Sequence, residues 1–142
     1  MNSYRKYITP EKNDSLKRAR YEVLYSDRRI LEEVFPDIKK IEISYTNTHK
    51  SIFGNTSKES HLTFTPKSEA TFVIKCLNPE CTYGWYYDLK NDIYNMRREH
   101  STEYHGEKDC QGQEAPDHPE QSCGGSLKYT INIVYKQFNG DA

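Results

Sequence analysis

The four cysteines of this chain stand in two pairs within polar, turn-forming sequence. Cys76 and Cys81 flank a four-residue loop, and Cys110 and Cys123 flank a longer loop that contains Gly and Pro. Cysteine is usually a buried apolar residue, so four of them at turns indicate a role other than core filling. Four thiolates at tetrahedral corners form a common structural zinc site, which predicts that these four residues bind one Zn²⁺.

The first pair carries the more specific pattern. Its four-residue gap is at the upper end of the usual ligand spacing, its Asn-Pro pair favours a turn, and the backbone amides of 82–84 can point at the sulfurs. The pattern resembles the knuckle of a zinc-ribbon or treble-clef module, and Cys123-Gly124-Gly125 resembles one half of such a knuckle. Twelve residues separate Cys110 from Cys123, so this pair departs from the resemblance. No named family is implied.

Other interpretations of the cysteines stay open at this point. Disulfides Cys76–Cys81 and Cys110–Cys123 would suit an exported protein, but the N-terminus has neither the apolar segment nor the cleavage site of a secretory signal. A set of redox-active thiols is the least supported interpretation, because no Cys-x-x-Cys lies at a helix N-terminus to lower a thiol pKa. His105 and His118 are alternative metal ligands, although solvated loop histidines are expected. Four thiolates leave no position for water, so the predicted zinc is structural.

Composition restricts the class of protein. The 142 residues predict a single domain, 1–142, with a modest core, since only 35% of residues are apolar and the mean hydropathy is −0.98. The formal net charge of −1 lacks the strong basic excess of many nucleic-acid-binding domains. No apolar run approaches the length of a membrane span, and we expect a cytoplasmic protein without membrane contact.

The elements that position the cysteines follow from periodicity. Residues 1–13 are expected to be loosely ordered, and a helix is predicted from Asp14 or Ser15. The further predicted elements are a short helix over 30–35, strands near 41–45, 62–64 and 71–75, a long helix over about 88–102 and a strand over 127–135. These predict an α+β fold in which N-terminal helices and one long helix accompany an antiparallel sheet of about four strands.

Two stretches without periodicity are predicted to be loops, 46–60 and 101–125. The first three strands are expected to form a meander whose third strand runs into Cys76. Segment 76–123 would then be an insertion between sheet strands, organised by the metal at both ends.

Residues outside the cysteine set indicate possible binding surfaces. The aromatic run after the first pair is expected to shield the metal and fill the core, with a ligand surface as the alternative. An apolar tip, 52–54, interrupts a polar loop. Residues 99–123 are acidic, and the first forty residues mix basic side chains with tyrosines, a pattern that an ordinary solvated helix surface also shows. The candidate surface residues are Trp85, Tyr86, Tyr87, Arg97, Arg98 and Phe53.

Three functions are compatible with these features. The absence of any catalytic motif favours a small, non-catalytic module that is stabilised by zinc and binds another protein. The alternative is a nucleic-acid-binding zinc protein, which is suggested by the ribbon-like knuckle and by the basic, tyrosine-bearing N-terminal segment. An enzyme that uses acids of the 99–120 loop is the third hypothesis.

Overall fold

The computed structural model describes residues 7–137 and has an α+β architecture. In chain order the helices are α1 (Pro10–Leu24), α2 (Leu31–Val34) and α3 (Lys90–Glu99). The strands are β1 (Ile38–Ser51), β2 (Gly54–Phe64), β3 (Val73–Lys75), β4 (Tyr86–Asp88), β5 (Glu103–Asp109), β6 (Gln113–Ala115), β7 (His118–Ser122) and β8 (Gly125–Tyr135). Within 7–137, none of the helices has the length and apolar character needed to cross a membrane.

The main sheet has four antiparallel strands in the order β2-β1-β8-β5. Alternate residues of β8 are buried from Leu127 to Ile133, because one face of the sheet packs on α2 and α3 while the other faces solvent. Ile41 and Ile43 of β1 lie directly opposite Ile133 and Ile131 and complete the apolar layer. The predicted α+β class, the four-stranded antiparallel sheet and the final strand are confirmed.

The loop predicted over 46–60 is wrong. β1 runs to Ser51 and pairs with β2 in register down to Gly54, so this segment is the end of a long hairpin. Only Ile52 and Phe53 lie in the turn, and Gly54 follows with a φ of 127°, a conformation that favours glycine. Most of β2 is exposed, so its side chains lack the apolar alternation that identifies a strand.

The loop predicted over 101–125 is also wrong. Its first part is β5, a polar edge strand of the main sheet, and its second part is the β6–β7 hairpin. The predicted meander is wrong as well, because β3 does not join the main sheet. It pairs instead with β4 in a separate two-stranded ribbon, which carries Cys76 at the end of its first strand.

The helices begin and end at different residues from those predicted. α1 starts at Pro10, where the Thr9 side chain accepts a hydrogen bond from the Lys12 amide at 3.1 Å, and Asn13 is buried. Residues 10–13 are therefore helical, while 1–6 lie outside the described residues. α3 buries Ile93 and Met96 as predicted, but ends at Glu99.

Candidate metal centre

The four cysteine sulfurs converge on one point. All four Sγ atoms lie within 4.8 Å of one another, with 3.7 Å between Cys76 and Cys123 and 3.4 Å between Cys81 and Cys110. Four sulfurs at about 2.3 Å from a tetrahedral metal would be separated by about 3.8 Å. None of the four is in a disulfide, whose sulfurs would lie about 2.05 Å apart. The cluster therefore has the dimensions of a site that could hold a metal ion.

Three separate pieces of the fold bring the cysteines together. Cys76 directly follows β3 and donates its backbone amide to the Trp85 carbonyl at 2.7 Å, which closes the loop that contains Cys81. Cys110 follows β5 and donates to the Gly125 carbonyl of β8 at 2.9 Å. Cys123 follows β7, and its amide donates to Gly112 at 2.9 Å. Backbone hydrogen bonds therefore position the segments that carry the cysteines.

Glycines form the wall around the sulfurs. A Cβ added at Gly84 would lie 2.4 Å from the Cys110 sulfur, and one at Gly125 would lie 2.7 Å from the Cys76 sulfur. Both distances are far shorter than a van der Waals contact. The backbone thus approaches the cluster more closely than any side chain would allow, and the centre is closed.

Hydrogen-bond donors point at the sulfurs. The Trp85 amide donates to the Cys81 sulfur at 3.2 Å, and Asn78 Nδ2 donates to the Cys123 sulfur at 3.4 Å. Trp85 has a φ of 63°, an uncommon conformation for a bulky residue that costs on the order of 1 kcal/mol. Such donors stabilise a thiolate more than a thiol, and they are the outer-shell contacts that orient metal ligands.

A buried tyrosine adds an unpaired donor. The Tyr87 hydroxyl is buried and has no hydrogen-bond partner, although it lies beside Gly125, which also flanks the Cys76 sulfur. Burial, and then the neighbouring cysteines, raise the pKa of Tyr87 and keep its proton on the oxygen. A negatively charged Cys76 sulfur would supply the missing acceptor, so the environment fits a metal-bound thiolate.

The charges of the cluster also favour a cation. Hydrogen bonds from Cys110, and then from Cys76, lower the pKa of Cys123. The hydrogen bond to Cys123 in turn raises the pKa of Cys110. A thiolate at one sulfur is therefore stabilised by neighbours that must keep their protons, and all four can ionise together only when a cation offsets the repulsion.

The alternative histidine ligands lie elsewhere. His105 is on β5, where its ring contacts Thr130 at 2.9 Å and Glu103 at 2.6 Å. His118 is half-exposed beside Asp117 and Glu120. Neither joins a metal-ligand cluster among the described residues.

Sequence analysis missed a pair that lies next to the centre. His49 Nε2 lies 3.0 Å from both carboxylate oxygens of Glu114, and the pair is within 4.8 Å of the Cys123 sulfur. Glu114 also accepts a hydrogen bond from the Gly124 amide at 3.3 Å. The pair ties β1 to the β6–β7 hairpin, and both residues lie in segments that the sequence predicted as loops, so no sequence signal placed them together.

The predicted binding surface is not a single surface. Trp85 and Tyr87 are 7% and 4% exposed, so they fill the core, as expected for this aromatic run, and do not offer the alternative ligand surface. The Trp85 ring nitrogen donates to Asn13 Oδ1 at 3.0 Å, which attaches α1 to the knuckle. Tyr86 is half-buried on the outer face of the β3–β4 ribbon, where it lies opposite Lys75.

Arginines of α3 and the hairpin tip line different clefts. Arg97 donates to Asp37 at 2.8 Å and lies over the Phe35 ring, and Arg98 is exposed beside it. Phe53 is 93% exposed and lines a cleft of about 780 Å³ beside the metal centre. The cleft is also lined by Ile52, Glu80, Glu114 and Asp117.

No protein-family model, curated protein or solved structure matches the chain. Function must therefore be inferred from the side chains and surfaces of the molecule.

Proposed function

We propose that this protein is a non-catalytic interaction module whose fold is clamped by one structural Zn²⁺. The observation that carries the proposal is the set of four cysteine sulfurs within 4.8 Å of one another, surrounded by glycines and N–H donors. Zinc suits four thiolates because it accepts tetrahedral geometry and has no redox chemistry of its own. Four sulfur ligands leave no position for an activated water, so the proposed metal role is structural.

The proposed setting is the cytoplasm. A reducing compartment keeps the four thiols available for metal binding instead of disulfide formation. The absence of a disulfide among Cys76, Cys81, Cys110 and Cys123 is consistent with this setting.

A protein is the proposed partner, and the hairpin tip is its proposed contact. Ile52 and Phe53 are 87% and 93% exposed at the end of an otherwise polar hairpin. They border the cleft beside the metal centre, whose other lining residues include Glu80, Glu114 and Asp117. Adjacent exposed apolar side chains beside a polar cleft are typical of sites that other proteins contact.

The metal proposal is tested by elemental analysis of the purified chain combined with thiol titration. We expect about one zinc per chain, four thiols that react slowly until a chelator is added, and four thiols under denaturing conditions without reductant. Cys123→Ser should lower the zinc content, while Ser122→Ala, next to it but outside the ligand set, should not. A zinc content near zero in the wild-type chain, or fewer than four free thiols, would contradict the proposal.

The interaction proposal is tested by photo-crosslinking in cells. A benzoylphenylalanine at Phe53 is expected to give discrete protein adducts, because the side chain is fully available. The same group at Val134, which is 45% exposed on β8, is the matched control and should give none. Equal labelling at both positions, or no adduct at Phe53, would remove the hairpin tip as the contact.

A further inference from the structure

Helix α1 lies against the β3–β4 ribbon on the side away from the main core. In the ribbon, Ile74 and Tyr87 pair directly and are both buried toward the core. The next pair, Lys75 and Tyr86, alternates to the opposite face. On that face the ring of Tyr21, from α1, lies 6.3 Å from the ring of Tyr86.

Two lysines meet where the helix crosses the ribbon. Lys17 lies one turn before Tyr21 on α1, and its ammonium group lies near that of Lys75. Burial, and then the charge of Lys75, lower the pKa of Lys17. Neither lysine forms an ion pair in the described part of the chain, where the paired lysines are Lys40, Lys67 and Lys108. The Asp14 carboxylate acts on Lys17 in the opposite sense but forms no ion pair with it, and two adjacent ammonium groups favour a bound anion.

A third lysine extends the basic surface. Asn47 of β1 donates its side-chain amide to the Lys75 carbonyl at 2.7 Å, which brings the end of the long hairpin to the ribbon. Lys58 lies directly opposite Asn47 in the β1–β2 register and therefore shares its face. Lys58 is exposed and, like the other two, has no ion pair in the range 7–137.

Tyrosine rings accompany the lysines on this surface. Tyr21 and Tyr25 are stacked with ring centroids 4.4 Å apart and an interplanar angle of 26°. Tyr21 remains 46% exposed, and Tyr86 is half-buried next to it. We call this group the lysine–tyrosine surface, comprising Lys17, Tyr21, Tyr25, Lys58, Lys75 and Tyr86.

The charge of the chain is unevenly divided. Segment 99–123 carries seven carboxylates and one lysine, a net charge of −6, whereas the whole chain carries −1. The remaining residues, which include the lysine–tyrosine surface, therefore carry +5. A near-neutral total does not describe the local field that a ligand would meet.

We propose that the lysine–tyrosine surface binds single-stranded nucleic acid, with backbone phosphates on the lysines and bases stacked on the tyrosine rings, of which Tyr21 is the exposed one. Proteins that bind single strands without sequence preference combine cationic side chains along the backbone with aromatic rings for the bases. Isolated phosphate groups on proteins are more often recognised by arginines that bind two oxygens at once, and this surface contains lysines only. The proposal goes beyond the zinc-clamped protein-interaction module and does not depend on which metal occupies the cysteines.

Fluorescence anisotropy of the full, metal-loaded chain tests the proposal. The probes are labelled oligothymidylate and oligouridylate of about 12 nucleotides, within the usual site size, and a duplex of the same length. We expect both single strands to bind at low ionic strength, more tightly than the duplex does. Affinity should fall as salt rises, because displaced counterions drive part of the binding.

Lysine variants separate a specific surface from general charge attraction. Lys17→Gln with Lys75→Gln should lower the affinity about tenfold and reduce the slope of log affinity against log salt by about 1.4, at roughly 0.7 per phosphate contact. Lys39→Gln with Lys136→Gln removes the same charge from exposed positions elsewhere and should change the affinity less than about twofold. The variant with Lys17→Gln and Lys75→Gln should unfold at a temperature no lower than that of the wild-type chain, because the substitutions remove a repulsion between two ammonium groups.

Ring variants test the stacking. Tyr21→Ala should weaken binding about fivefold or more, whereas Tyr21→Phe, which keeps the ring, should bind like wild type. The proposal is overturned if the wild-type chain binds neither single strand at low salt, or if both lysine pairs weaken binding equally. Tighter binding of the duplex, or of a phosphoserine peptide of equal charge, would overturn the assignment to single strands.

Discussion

The two halves of this molecule are stabilised by different means. In the sheet half, β1, β8, α2 and α3 bury an apolar core, in which Ile41, Ile43, Leu127 and Ile131 are fully buried. In the metal half, β3, β4 and β6 have three residues each and β7 has five. Isolated two-stranded ribbons of this length are marginal in water. Ile74, Trp85 and Tyr87 attach this half to the apolar core, and the comparison indicates that the cysteine centre cross-links ribbons that are too short to be stable by themselves.

Magnitudes support this division. Fully burying one aliphatic side chain contributes about 1.5–3 kcal/mol, and the sheet half buries several of them. Structural zinc in small domains contributes an apparent ~10–16 kcal/mol. The short ribbons build no core of their own that could contribute a comparable free energy. Loss of the metal should therefore affect the two halves unequally.

Metal removal is expected to have the largest effect. Chelation should leave four thiols that cannot all ionise, so segments 76–88 and 110–123 should lose hydrogen-exchange protection by several orders of magnitude. The amides of 41–45 and 127–133 should remain protected, because their ladders join long strands over the apolar core. Hydrogen exchange measured with and without chelator checks this. Simultaneous loss of protection in all four segments would show that the halves unfold as one unit.

The matched control weakens the other half. Ile131→Ala removes a fully buried side chain and should destabilise the sheet half by about 2–5 kcal/mol. Protection should then fall in 41–45 and 127–133, while the metal content stays at one ion per chain. A variant that lost its metal instead would show that the sheet, and not the local backbone bonds of the cysteines, assembles the site.

Strands with one apolar face were predicted better from the sequence than strands that are polar on both faces. Ile41, Ile43 and Leu127–Tyr135 alternate because one face of their strands is covered, and a covered face leaves a period of two in the sequence. The distal β2 and β5 are largely polar on both faces, and side-chain contacts to their neighbours, such as Thr48–Ser57 and His105–Thr130, are polar as well. Polar pairs leave no apolar alternation in the sequence, so both segments were predicted as loops.

The candidate site was predicted in part for a related reason. Side-chain chemistry identified Cys76, Cys81, Cys110 and Cys123, because turn-borne cysteines have few other roles. The His49–Glu114 pair that lies beside them could not be predicted, since the two residues are 65 positions apart in segments without periodicity. Chemistry can be inferred from residue type, but proximity requires the strand register.

Two buried tyrosines, one in each half, give the finest test of the comparison. The Tyr129 hydroxyl donates to Asp92 at 2.6 Å, so Tyr129→Phe should cost about 1–2 kcal/mol with or without metal. Burial, and then Asp92, raise the pKa of Tyr129 above the value of about 10 expected in the unfolded chain. Its stabilisation is therefore complete below pH ~10 and is lost as the pH rises, a loss that Tyr129→Phe should abolish.

Tyr87→Phe should behave in the opposite way, because the Tyr87 hydroxyl is buried without a hydrogen-bond partner and lies close to the Cys76 sulfur, which accepts a hydrogen bond more strongly as a metal-bound thiolate. In the metal-free chain the substitution should be neutral or slightly stabilising, since it removes an unsatisfied polar group. In the metal-bound chain it should weaken zinc affinity, by about tenfold if outer-shell contacts act here as they do in other zinc sites. Unfolding and metal-competition titrations of the two variants, with and without zinc, measure both effects. If Tyr87→Phe lowered the free energy of unfolding equally in the metal-free and metal-bound chains, the Tyr87 hydroxyl would stabilise the fold directly. The metal half would then depend less on its ion than the comparison of the two halves implies.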